Sequence, residues 1–297
     1  MILIIGASGR LGSMVARRLL ADGQPVRALS RTPAELAALS SAGAEVVAGD
    51  LRDPASLRRA CQGVEAILSA AHGFTGKGAN SPQSVDDEGV RHLIEAARAA
   101  GVGHVVLMSI LGARADHPVD LFRAKYRAEQ ALRSSGLSAT ILRPTAFMEL
   151  WLNILAEPML KQGKAMIFGR GVNPINFVSV EDVARYALIG LRDPQSRGIT
   201  IDIGGPENRS LTQLVALIEQ TTGKTTSRQH IPLPALQAMS VLARPFNPAF
   251  ARQAGSAAYM DTHDMTFDPA ATLRRFPGAL RRIEEVARDL FAAIPVA

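Results

Sequence analysis

The chain has 297 residues, 47% apolar and 20% charged, with a formal net charge of +6 and a single cysteine. Its length suits one large domain, or a domain with a smaller lobe, and its composition excludes an intrinsically disordered chain. One cysteine excludes an internal disulfide framework and suits a reducing compartment.

No apolar run reaches the roughly 18 residues of a membrane span, and strand MILII opens the chain without the basic region of a signal peptide. A cytoplasmic protein with no membrane association is expected. The positive charge is spread along amphipathic stretches such as 281–288, where acids interleave. With no run of five or six basic residues, a solvated Arg-rich surface is expected rather than a nucleic-acid contact.

In chain order, apolar runs at 1–5, 25–30, 44–49, 64–70, 104–109 and 138–143 read as strands. Helical periodicity fills the intervals at 10–21, 33–41, 54–62, 83–100 and 118–135, and Gly101 stands just past the fourth helix as a stop. Cys61 falls in the third of these helices, where a buried structural thiol is expected. Strands alternating with helices imply right-handed βαβ units in a covered parallel sheet, an α/β doubly wound Rossmann fold. The domain is expected over 1–145.

Beyond it come a helix at 147–162, a turn-rich GRGVNP at 169–174, a strand at 175–179, a helix at 180–192, a strand at 198–203 and a helix at 210–222. The stretch 228–262, with four prolines, reads as irregular. Residues 146–297 are expected to form a smaller, partly interleaved substrate lobe, with 175–203 returning to the Rossmann sheet.

The strongest chemical signal is GASGRLG, directly after the first strand and opening a helix. Gly6 permits the tight turn, Gly9 lets backbone approach a pyrophosphate, and Gly12 lets the helix pack on the strand. The helix start adds free N–H groups and a positive dipole end. Gly6, Ala7, Ser8, Gly9, Arg10, Leu11 and Gly12 are therefore the expected dinucleotide turn.

At the end of the second strand an NAD site would carry an acid for the ribose hydroxyls. Here stand Ser30 and Arg31, with Arg10 inside the glycine turn. Guanidiniums suit a 2′-phosphate through charge-assisted forks, so NADP(H) is expected in preference to NAD(H). Asp50, in GDLRDP, either accepts from the adenine amino group or closes the next turn.

Together GASGRLG, GDLRDP, DDEGVRHLIEAARAAGV, RAKYRAEQAL, LRPTAFME, FVSVEDVA and IGGPENRSLTQL resemble the NmrA-like, atypical branch of the short-chain dehydrogenase/reductase family. The resemblance spans about 1–222, and MDTHDMTFDP at 260–269 is similar to a tail of bacterial members. It implies a Rossmann domain with a small substrate lobe, binding NADP(H) or NAD(H). By position, Asp50 and Leu51 would meet the adenine, and Ala70 and Ala71 would line its ribose. Lys125 would bond the nicotinamide ribose, and Pro144 with Phe147 would flank the nicotinamide. Ser109 stands where the wider family carries a catalytic serine. His92 departs from the asparagine that related sequences often carry.

Ketone reduction needs a proton donor or an oxyanion site. The wider family supplies Tyr and Lys four apart on one helix face, the ammonium lowering the phenol's pKa. Here Leu121 stands four residues before Lys125, and neither Tyr126, Tyr186 nor Tyr259 has a lysine four residues on. One reading is a reductase of quinones, enones or dye-like cations, with the proton coming from Lys125, His72 or water. His72 lies in the loop after the fourth strand, and its titration range suits a donor. A second is an NADP(H)-sensing regulator or assembly partner that does not turn over, as some NmrA-like proteins are. A third, an epimerase or isomerase, relies on the missing tyrosine and ranks last.

Phe74, Phe147, Met148, Trp151, Met166 and Phe168 are candidates for an apolar pocket wall, or for plain packing. Glu149 and Asp182 are expected to be structural. The expected partner is a small apolar or aromatic substrate, with the oligomeric state open, and no spaced His/Cys/Asp cluster suggests a metal.

Overall fold

Valine, isoleucine and leucine at consecutive positions suit strands buried on both faces, and the N-terminal half of the chain is built from such strands. A computed structural model of the protein describes residues 1–292. Two compact units divide it: 1–143 with 183–202, and 144–182 with the residues from 203 onward.

The first unit begins with β1 (Ile2–Ile5), α1 (Arg10–Ala21), β2 (Val26–Ser30), α2 (Ala37–Ser41), β3 (Glu45–Ala48), α3 (Pro54–Ala60) and β4 (Ala66–Ser69). It continues with α4 (Gly89–Ala99), β5 (His104–Met108), α5 (Asp120–Arg133) and β6 (Ala139–Pro144). The expected helix at 33–41 is a 3₁₀ turn over Pro33–Leu36 followed by the single turn α2. The expected helix at 83–100 opens with a π turn, Gln83–Glu88, before α4 begins.

A seven-stranded sheet runs in the order β10-β6-β5-β4-β1-β2-β3, where β10 is Thr200–Ile203. Parallel registers join β1 to both β2 and β4, with Ile2 opposite Val26 on one side and Ala66 on the other. The order reverses at that junction, because β1 leads outward to β2 while β4 leads the other way to β5. The fold is therefore a Rossmann-like α/β sheet with its switch point between β1 and β4. Leu3, Ile67, Leu107 and Ile141 from the strands pack with Leu57, Leu93 and Leu132 from α3, α4 and α5.

The second unit contains β7 (Ala146–Phe147), α6 (Met148–Gln162), β8 (Lys164–Phe168), β9 (Ile175–Val178) and the start of α7 (Val180–Arg192). After β10 follow β11 (Asn208–Arg209), α8 (Leu211–Thr222), β12 (Ser227–Ile231), α9 (Leu233–Leu242), α10 (Pro248–Thr262), α11 (Ala270–Arg275) and α12 (Ile283–Phe291). β9 lies between β11 and β7, and β12 pairs in parallel with β8. Leu152, Leu155, Phe177, Leu214, Ile218 and Val286 form the centre of this unit's core.

Residues 228–262, expected to be irregular, form most of β12 and the helical pair α9 and α10. Three of the four prolines, Pro232, Pro234 and Pro248, stand at helix starts, where a missing N–H costs nothing. Pro232 caps α9, and Pro248 opens α10 beside Asn247, whose side chain accepts the Phe250 N–H at 3.2 Å. Among the described residues no helix is long and apolar enough to cross a membrane, and no group of three or more His, Cys, Asp or Glu is placed to hold a metal ion.

Candidate dinucleotide site

The turn after β1 is packed so tightly that side chains have no room. Gly6 has φ +85°, and a Cβ there would lie 2.8 Å from the Ala71 nitrogen and 2.9 Å from the Ala70 carbonyl carbon. A Cβ on Gly12 would come within 2.2 Å of the Gly6 oxygen. Gly9 precedes α1 with extended backbone and donates its N–H to Gly6 O at 3.0 Å. Ala7 is buried and Leu11 half-buried, while Ser8, Gly9 and Arg10 face solvent. The unbonded N–H groups at the start of the 12-residue α1 thus open beside the switch point, where open α/β sheets bind ligands. This cradle fits a dinucleotide pyrophosphate.

At the neighbouring corner, Ser30 is buried and its Oγ accepts the Thr32 N–H at 3.1 Å. Arg31 is exposed and donates from Nη1 to Asn80 Oδ1 at 2.7 Å. The Asp50 carboxylate accepts the Arg52 N–H at 2.9 Å and pairs with its guanidinium. Its bond to the Arg52 side chain holds it below the usual carboxylate range, against partial burial. The Asp50 carboxylate thus closes the turn at Arg52. Arg52 also donates to Ala79 O at 2.9 Å. Leu51 is buried, with its carbonyl 3.3 Å from His92 Nδ1.

Of the three residues considered for chemistry, Lys125 is 4% exposed. Its ammonium donates to Met108 O at 2.8 Å and stands 2.8 Å from Asp86 Oδ1. Ser109 is also buried, and its hydroxyl donates to Glu129, which Arg143 grips at 2.8 and 2.6 Å through Nε and Nη2. Ser109 thus belongs to a buried ion network with Glu129 and Arg143. His72 is reached by solvent but has protein mass around it. That desolvation, then the Lys125 ammonium, pull it below the ordinary histidine value, with Asp86 opposing. Leu121 is buried, so no phenol stands above Lys125.

In the second unit, Pro144 and Thr145 precede β7, whose last residue is the half-buried Phe147. Met148 is fully buried in the core. Trp151 meets Phe168 and Phe177 edge-on at 6.3 and 6.4 Å. These residues pack on one another, and the crevice beside Trp151 and Phe168 is about 10 Å³, roughly one water. Glu149 accepts the Val180 N–H at 2.9 Å, at the start of α7. Asp182 accepts from Ser179 Oγ at 2.7 Å and from the Arg281 N–H at 3.0 Å.

Sequence patterns do not single out Asp86, Glu129, Arg143 or Asn80. Asp86 and Glu129 look like the ordinary acids of solvated helix surfaces. Only folding sets Asp86 against Lys125, 39 residues on, and Glu129 against Arg143, 14 residues on.

Several known proteins resemble this chain. It is 34% identical over 225 residues to (4-alkanoyl-5-oxo-2,5-dihydrofuran-3-yl)methyl phosphate reductase of Streptomyces griseus, covering 75% of this chain and 74% of that one. It is 30% identical to the NAD(P)H azoreductase of Xenophilus azovorans over 82% of each chain. It is 28% identical to the photosystem II assembly factor Ycf39 of Guillardia theta, over 99% of this chain and 95% of the relative. A chloroplastic relative from Arabidopsis thaliana is 30% identical, but the match spans only 61% of its length. Among solved structures, an NADPH-dependent quinone oxidoreductase from Escherichia coli complexed with NADPH superposes with a TM-score of 0.77 at 24% identity, covering 98% and 100% of the two chains. The glycine turn, the sheet order and a family match over residues 1–266 agree, and the chain belongs to the NmrA-like family.

Proposed function

We propose that the chain binds NADP(H) and passes hydride to a small conjugated or aromatic acceptor such as a quinone, an enone or a dye-like molecule. The observation that carries this reading is Leu121 standing four residues before a buried, ion-paired Lys125, in a chain whose glycine turn is too tight for any side chain at Gly6 or Gly12. Bound NADPH would supply the hydride. Without a phenol, the acceptor must spread its incoming charge over its own conjugated system. The two reductases among the relatives act, by their names, on a dihydrofuranone and on azo compounds, which are of that kind. Arg31 and Arg10 would read the 2′-phosphate, the turn from Gly6 to Gly12 would hold the pyrophosphate, and Lys125 would hold the nicotinamide ribose. With its one buried cysteine, we place the protein in the cytoplasm.

The assembly-factor relative, which matches nearly the whole chain, favours a second reading: an NADP(H)-responsive partner protein without turnover. One experiment separates them. NADPH oxidation is followed with a panel of quinones, conjugated enones, azo and triphenylmethane dyes and simple aldehydes. Turnover with conjugated acceptors but not with aldehydes is expected. Tight NADPH binding with no turnover across the panel would leave the second reading.

A further inference from the structure

The π turn Gln83–Glu88 sets two acids side by side and sends them to different partners. Asp87 pairs with Arg91 at 2.8 Å and with Arg127. Asp86 has no exposed surface. One of its oxygens accepts the Gly73 N–H at 2.8 Å, and the other stands 2.8 Å from the Lys125 ammonium. One carboxylate therefore ties the α5 lysine to the first peptide after His72, at the base of the loop leaving β4. A buried pair of this kind is costly to desolvate and contributes little net stability. π turns also recur at functional sites.

We propose that Asp86 is a positioning residue for the cofactor's nicotinamide half: it orients the Lys125 ammonium and fixes the base of the His72 loop against it. The inference rests on Lys125 holding the nicotinamide ribose. Lysine is a flexible, strongly hydrated point charge on a four-carbon stem. Met108 O accepts from this ammonium without neutralising it. Asp86 supplies the counter-charge inside the unit and sets the direction in which the remaining N–H points. Asparagine at 86 would keep an acceptor for the Gly73 N–H and lose that charge.

The test uses the full chain and two probes, NADPH and adenosine 2′,5′-bisphosphate, which lacks the nicotinamide half. Their affinities are measured by fluorescence and calorimetry in the wild type, Asp86→Asn, Lys125→Met and the double variant. Asp86→Asn is expected to bind NADPH about tenfold more weakly, the worth of one charge-assisted bond, and the bisphosphate unchanged. In the Lys125→Met background, Asp86→Asn should add nothing. Equal loss of both probes would mean general damage to the fold and would overturn the proposal. So would additive losses in the double variant, or full NADPH affinity in Asp86→Asn while Lys125→Met is weakened. If Lys125→Met itself binds NADPH normally, the ribose role of Lys125 fails and the proposal with it. Should Asp86→Asn not fold, Asp86→Glu keeps the charge and displaces it by one methylene. It must then show the same contrast between the probes, and no contrast overturns the idea.

Discussion

At Arg31 the guanidinium reaches past the end of β2 into solvent, with one N–H on the Asn80 amide oxygen. That bond leaves most of the five-donor fork free and limits where it can swing, an arrangement suited to a phosphate on the adenosine ribose. Arg31→Ala should narrow the preference for NADPH over NADH by about 1.5–3 kcal/mol, from titrations of both cofactors. A ratio equal to wild type would remove Arg31 from the 2′-phosphate site. The role of such a residue can be read from its type and its place after a strand. The turn from Gly6 to Gly12 was legible for the same reason, since glycine is demanded there by contacts with Ala70, Ala71 and its own backbone. Asn80 and Asp86 were not legible, because their partners are set by folding rather than by spacing.

Helix α5 carries Lys125 on one turn and Glu129 on the next, both buried. Glu129 accepts from Ser109 and from the fork of Arg143, while the more exposed Arg133 stands 3.5 Å away. Removing one member of a buried pair strands the other charge. Arg143→Ala should therefore cost about 3 kcal/mol in chemical denaturation, whereas Arg133→Ala should cost no more than about 1 kcal/mol. Equal effects would mean that the guanidinium of Arg143 is not the counter-charge. The helical period over 118–135 locates α5 to within two residues at each end, while the ion network around Ser109 and Glu129 has no local sequence signature. Over 228–262 the prolines argue for irregular chain, yet Pro232 and Pro248 begin helices.

Across the whole chain, the two units differ in how openly their sequences state their structure. The first alternates apolar strands with amphipathic helices, and each crossover has a limited set of outcomes. The second uses two-residue strands, a parallel pair formed from β8 and β12, and helices held by contacts distant in sequence. Its local patterns are weaker because more of its order comes from long-range packing.

The lone thiol of Cys61, at the C-terminal cap of α3, is fully buried, and burial pushes it up to about 11. At neutral pH almost none of it is thiolate, so a maleimide should leave the folded protein unmodified and take one equivalent in denaturant. Measurable labelling of the native chain would show that the α3 end opens. The silence of Cys61 makes the protein a clean carrier for a single reporter. A Lys77→Cys variant, exposed and three residues before the Arg31 partner Asn80, would take a fluorophore there alone and turn cofactor arrival into an optical signal.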